Sequence, residues 1–183
     1  YALAHARLAQ AWTELDYTDR AKDELLTAAS LKDRSPLSQR DALYLDAILA
    51  TTTRQLGDAV KAYTEIAKLA PEDGPVYVDL GYAYEKDDNT AKALENYLKA
   101  IELNKGQYAT AYLRAGIIYQ RKQDIDNANA MFDEAERLYK AGSNEEGKIE
   151  VMRWRGILFR EKNRFDEAKS QSQGSLNAAR AIG

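Results

Sequence analysis

The stretch LGYAYEKDDNTAKALENYLKAIELN, Leu80 to Asn104, decides the fold. Its apolar residues recur at the three- and four-residue spacing of amphipathic helix on both sides of a polar break at KDDN. Gly81 nevertheless falls inside the first run, where glycine costs about 1 kcal/mol relative to alanine. A glycine kept there needs a reason outside its own helix.

The residues beyond Asn104 supply that reason. Tyr77, Leu80, Gly81, Tyr84, Ala93, Tyr97 and Ala100 have counterparts in Tyr112, Ala115, Gly116, Tyr119, Ala128, Phe132 and Ala135, at a constant offset of 35. Another copy, Met152, Arg155, Gly156, Phe159, Ala168, Ser172 and Ser175, lies 40 further on, the extra length falling between Gly142 and Gly147. Near the start, His5, Leu8, Ala9, Trp12, Ala21, Leu25 and Ala28 fit the same template with alanine in place of glycine. A looser copy ends in AYTEIAKLAPED, residues 62–73.

Punctuation agrees with this period. The three prolines, Pro36, Pro71 and Pro75, fall between periodic runs, as expected of a residue tolerated only near a helix start. Ser38 with Asp41 forms a capping-box-like pair, and Asp73, Asn89 and Asp124 each precede a new amphipathic run. The spacing predicts ten helices of about 12 to 17 residues, over 2–15, 18–31, 38–54, 58–69, 74–87, 90–103, 107–121, 124–139, 145–161 and 165–181.

The repeated set resembles the tetratricopeptide repeat (TPR), a helix-turn-helix unit of about 34 residues with an aromatic, leucine-glycine, tyrosine, alanine, aromatic, alanine, proline pattern. The resemblance covers nearly the whole chain. It implies an all-α, right-handed α-solenoid of about five repeats, near 2–35, 38–72, 74–107, 109–141 and 146–181, forming one domain over 1–183. Small residues at the eighth position of the first helix and the twentieth of the unit would then let paired helices approach closely, with aromatics filling the space around them. Two departures stand out. Asp46 falls at an expected core position if the second repeat is aligned on Ala59 and Pro71, whereas aligning it on Gly57 and Ala62 requires a missing turn; both registers stay open. Arg155 stands where leucine is usual, which reads as a C-terminal capping repeat with a more polar outer face.

Composition excludes several function classes. With 26 basic and 29 acidic residues and a net charge of −3, no overall positive field draws nucleic acid or anionic lipid. The absence of cysteine rules out disulfides and thiol chemistry but leaves the compartment open, with the cytoplasm favoured and an extracytoplasmic tail also compatible. No apolar run approaches the roughly 20 residues needed to cross a bilayer. The only histidine, His5, stands at a packing position of the repeat and reads as a satisfied imidazole rather than a general base. Asp87 with Asp88 and Glu145 with Glu146 fall in turns as solvated caps. Neither a metal, a cofactor nor a glycine-rich phosphate loop is called for, and a non-enzymatic segment is expected. RWRGILFREKNR, Arg153 to Arg164, carries five basic residues, but helical spacing spreads them around the axis as a solvated surface.

The resemblance places function on the concave face lined by the first helix of each repeat, a groove that holds protein or peptide segments. Candidate groove residues are Tyr82, Leu113, Arg114, Ile117, Arg121, Arg153 and Ile157. The lysine and asparagine with which related proteins grip a chaperone C-terminus are missing, since those positions read Ala6 and Gln10, Val78 and Tyr82, Leu113 and Ile117, or Arg153 and Ile157. Tyr82 with Leu113, Arg114 and Ile117 reads as an apolar anchor pocket beside a cation; the same residues also read as simple packing between repeats, and the two readings stay open. Residues 1–63, with the link LSQRDAL, resemble the C-terminal repeat regions of bacterial serine/threonine kinases, adenylate cyclases and related regulators. The expectation is a binding or sensing tail of a larger bacterial signalling protein, with self-association through Tyr1, Leu3 or Ile182 as the alternative.

Overall fold

The computed structural model describes residues 1–32 and 37–182, and these form ten α-helices and no strand. They are α1 (Ala2–Glu14), α2 (Thr18–Lys32), α3 (Gln39–Thr52), α4 (Leu56–Leu69), α5 (Gly74–Lys86), α6 (Thr90–Leu103), α7 (Ala109–Arg121), α8 (Ile125–Ala141), α9 (Glu145–Glu161) and α10 (Phe165–Ile182). Each boundary lies within two residues of the spacing-derived one. The capping residues explain why: Ser38 accepts from the Asp41 amide at 3.1 Å, Asn89 from Lys92 at 3.2 Å and Asn144 from Gly147 at 2.7 Å, each cap stabilising a helix start by about 1 kcal/mol. Asp73 precedes α5 without such a bond, and its carboxylate pairs with Arg40 instead. Pro36 lies outside the described residues.

The turns show a device that the sequence conceals. Asp16, Arg54, Asp88, Gln123 and Asn163 adopt left-handed backbone, φ 55 to 61, although such a conformation costs a non-glycine residue about 1–2 kcal/mol. Each is followed by an amide that closes back onto the preceding helix. Tyr17 donates to Trp12 O, Gln55 to Ala50 O, Asn89 to Tyr84 O, Asp124 to Tyr119 O and Arg164 to Phe159 O, at 2.8 to 2.9 Å. This is the Schellman closure, which satisfies carbonyls left orphaned at a helix end. The acceptors all occupy the same place in the repeat, so the closures carry the period into the backbone.

Contacts divide the chain into two compact units, Tyr1–Ala93 and Leu94–Gly183. In the first, α1 packs on α2 and α3, α3 on α4, and α4 on α5. One core joins Ala2, Ala6, Ala28, Leu45 and Ile48. A second joins Tyr44, Ala47, Ala59, Tyr63, Ile66, Val76 and Leu80. The register of the second repeat follows from burial. Ala47 and Ala59 are fully buried, while Gly57 is exposed with nothing within 4 Å of where a Cβ would stand. The Ala59–Pro71 alignment is therefore the one adopted, and Asp46 does occupy the position at which Leu80 packs inward. Asp46 is exposed and paired with Lys32 at the end of α2, and α2 consequently meets α3 only slightly.

In the second unit α7 pairs with α8 and α9 with α10, and α8 also packs on α9. Its core comprises Leu113, Ile117, Ala128, Phe132, Ala135, Tyr139, Val151 and Leu158. A Cβ on Gly116 would meet Phe132 Cε1 at 2.7 Å and Cδ1 at 2.8 Å, and the Phe132 ring is fully buried. This is the close crossing expected of the repeat's eighth position. Arg155 departs from expectation. It does not face outward as a polar cap; its side chain is 16% exposed and reaches Asp133 at 2.6 Å and Glu136 at 3.2 Å on α8. The guanidinium finds carboxylates on α8, while Nε is buried without a hydrogen-bond partner. The polar outer surface belongs to α10, where Ala168 is the buried residue.

Gly116→Ala should lower stability by about 1–3 kcal/mol through overpacking against Phe132, despite its better helix propensity. Gly57→Ala, with open space around it, should raise stability by about 0.5–1 kcal/mol. Thermal unfolding of the two variants, followed by circular dichroism, checks both signs.

Candidate peptide-binding faces

In the first unit the first helices of successive hairpins are tied by one charged strap. Arg7 of α1 donates to both carboxylate oxygens of Asp79 on α5, at 2.7 and 3.3 Å, and lies over the Tyr44 ring of α3 at 5.5 Å. Gln10 accepts from Arg7 at 3.2 Å, and Tyr44 meets Tyr63 edge to face at 6.3 Å. Burial pulls the Arg7 guanidinium down, but the hydrogen bond and charge of Asp79, with Tyr63 and Tyr44 nearby, hold it above its ordinary value. Burial and the Asp79 charge push the Tyr63 phenol up. Arg7 is therefore a fixed cation on the first-helix face.

Beside it lies a cleft of about 580 Å³. Gln10 and Thr13 of α1, Lys22 and Leu25 of α2, Thr51 and Thr52 of α3, and Tyr82 and Lys86 of α5 line it, with Arg54 and Leu56 at the turn into α4. Lys86 Nζ stands 5.0 Å from the centre of the Tyr82 ring. The groove candidate Tyr82 thus faces a concavity of its own unit.

In the second unit the candidates separate into two groups. Arg121 and Arg153 converge on Trp154, with guanidinium carbons 5.9 and 5.2 Å from its ring centre. Glu150 accepts from both Trp154 Nε1, at 3.1 Å, and Arg153, at 2.8 Å. Arg114 and Ile157 are half-buried on the same pair of helices. Leu113 and Ile117, by contrast, are 5% and 2% exposed and belong to the core with Phe132, Val151 and Leu158. Of the two readings of these residues, packing describes Leu113 and Ile117, because their side chains leave no area for an anchor.

Trp154 lies in the basic run Arg153 to Arg164 and is not among the groove candidates. A signal existed: it stands two residues before Gly156, as Arg7, Asp79 and Arg114 stand before Ala9, Gly81 and Gly116. That row supplies the strap in the first unit. Gln120 beside Arg121 is 2% exposed; its amide nitrogen donates to Glu161 at 3.2 Å, which leaves Oε1 as a buried acceptor without a partner.

His5 lies 2.6 Å from Glu24 and joins the two helices of the first hairpin. Glu145 is engaged by Lys148 at 2.7 Å. Among the described residues no cluster of three or more acidic or imidazole groups is placed to hold a metal, and no helix is long and apolar enough to cross a membrane.

Helical hairpins closed by the same turn and crossed at the same small residue define a repeat protein. The tetratricopeptide repeat family model matches residues 74–107 and 109–141, and the chain carries these repeats within the all-helical fold of tetratricopeptide-repeat proteins. Bos taurus tetratricopeptide repeat protein 36 is 28% identical over 127 residues, covering 68% of this chain and 67% of that protein. Among solved structures, TTC0263, a thermophilic TPR protein of Thermus thermophilus, superposes with TM-score 0.71 at 21% identity, over 98% of this chain and 92% of that one. YrrB, a TPR protein described as having an unusual peptide-binding site, superposes with TM-score 0.63 at 17% identity, over 97% and 86%.

Asp79→Ala removes both acceptors of Arg7 and should cost about 1–2 kcal/mol, the worth of a partly exposed charge-assisted pair. Asp79→Asn should retain part of it. Urea unfolding of the two variants checks the order.

Proposed function

We propose that this chain is a non-catalytic scaffold that holds protein or peptide segments against the first-helix faces of its hairpins. The observation that carries the reading is the Trp154 ring flanked by Arg121 and Arg153. A large, half-buried aromatic between two cations is the residue chemistry of interaction hot spots. Tyr82, Arg114 and Ile157 extend these faces. Two observations support the class: the tetratricopeptide repeats themselves and the likeness in fold to a protein described as having a peptide-binding site. The resemblance of residues 1–63 to repeat regions of bacterial kinases and cyclases supports a place in a signalling protein.

A second reading, self-association, draws on Tyr1 and Ile182, exposed at 77% and 49%, whereas Leu3 is partly buried against the cores of the first unit. Sedimentation across a concentration series decides it, since a chain that remains monomeric removes this reading.

The test is crosslinking capture from a bacterial lysate, with wild type, Trp154→Ala and the double variant Tyr82→Ala/Arg114→Glu as baits of matched helicity. A partner held by wild type should bind Trp154→Ala at least about tenfold more weakly. Equal capture by all three baits would move the site off these faces.

A further inference from the structure

We infer that the cleft of the first unit is a receptor for acidic peptide segments, whose carboxylates would sit between Lys22 and Arg54 beside the Tyr82 ring. The inference rests on the scaffold reading and names the chemistry of one partner. Three cations, Lys22, Arg54 and Lys86, line the cleft against one carboxylate, Asp16. Lys86 is held over Tyr82. Lys22 and Arg54 are both exposed, and neither has a carboxylate partner among the described residues.

The neutral lining shows where hydrogen-bond donors remain. Thr13, Thr51 and Thr52 spend their hydroxyl protons on the Ala9, Ala47 and Ile48 carbonyls of their own helices, at 2.8 to 2.9 Å. The helix-end carbonyls of Thr13 and Thr51 are taken by the amides of Asp16 and Arg54. Gln10 uses its carbonyl to accept from Arg7, so its amide protons are what it can offer the cleft. The N-terminal residues of α2 and α4, Thr18 and Leu56, also line the space and bring the positive ends of two helices to it. Three cations and the Gln10 amide set against the single Asp16 carboxylate match an anion, and Tyr82, Leu25 and Leu56 give its side chain or main chain an apolar wall. The volume suits one or two side chains of a linear segment.

This geometry differs from a clamp of lysine and asparagine on the first helices. Here the two cations come from the second helix of the first hairpin and from the turn of the second. Arg54 is placed by its left-handed backbone, φ 61.

The test is fluorescence anisotropy on the full chain with fluorescein-labelled hexaglutamate, and with hexaglutamine as the neutral control. Hexaglutamate should bind and hexaglutamine should not. Lys22→Glu/Arg54→Glu should weaken hexaglutamate binding by about tenfold or more, while Lys22→Arg/Arg54→Lys retains it. Both positions are exposed, so helicity should be unchanged in each variant. Equal affinity for the two peptides, or indifference to the charge reversal, would overturn the proposal. Displacement of the peptide by millimolar inorganic phosphate would also overturn it, by assigning the cleft to small anions. Retention of a captured protein partner by a chain that ignores hexaglutamate would reject this site and leave the scaffold reading standing.

Discussion

The structure depends on how closely two helices of one hairpin can approach. At Gly116 the separation leaves no room for a methyl group beside the Phe132 ring, and the buried faces of Ala128 and Ala135 continue the same contact. Gly156 repeats the arrangement with Ser172, whose oxygen lies 3.1 Å from the would-be Cβ. In the first unit the pair is Ala47 and Ala59, both fully buried. Glycine's weak helix propensity is offset by the dispersion and burial gained when an aromatic fills the crossing. Because that contact consumes the inward face of each helix, the outer face of the first helix is left to carry other chemistry.

Between hairpins the rule is complementarity rather than apolarity. Leu80 fills the inter-hairpin position with a buried side chain. Where the chain substitutes a charge, the preceding helix answers it: Lys32 for Asp46, and Asp133 with Glu136 for Arg155. The two solutions differ in burial. Arg155 has the length to lie along α8, so the hairpins stay packed. Asp46 is too short to do so and turns outward, and α2 loses its grip on α3. The cleft beside Tyr82 takes Lys22 and Leu25 from α2 and Thr51 and Thr52 from α3.

Much of the fold was legible because its signals are local. Ser38, Asn89, Pro71 and Pro75 mark helix ends, and the 35-residue offset from Gly81 to Gly116 marks the unit. The second repeat's register was not, since Gly57, Ala59 and Ala62 are all small and only burial distinguishes them. Left-handed turns at Arg54 and Gln123 carry no glycine to announce them. The candidate site was legible in kind and less so in detail. Leu113 and Ile117 occupy groove positions by count, yet the core takes both. Arg7 and Asp79 stand 72 residues apart, at the same place in repeats that are not consecutive in the chain. Trp154 was hidden in a run dominated by its arginines.

The central claim is that partners bind on first-helix faces. The most direct measurement is the hydrogen-exchange footprint of the chain with a crosslink-captured partner. The account predicts slowed exchange in α7 and α9 around Arg121 and Trp154, or in α1, α3 and α5 around the Tyr82 cleft, with α10 unchanged. Protection confined to α10 would contradict it.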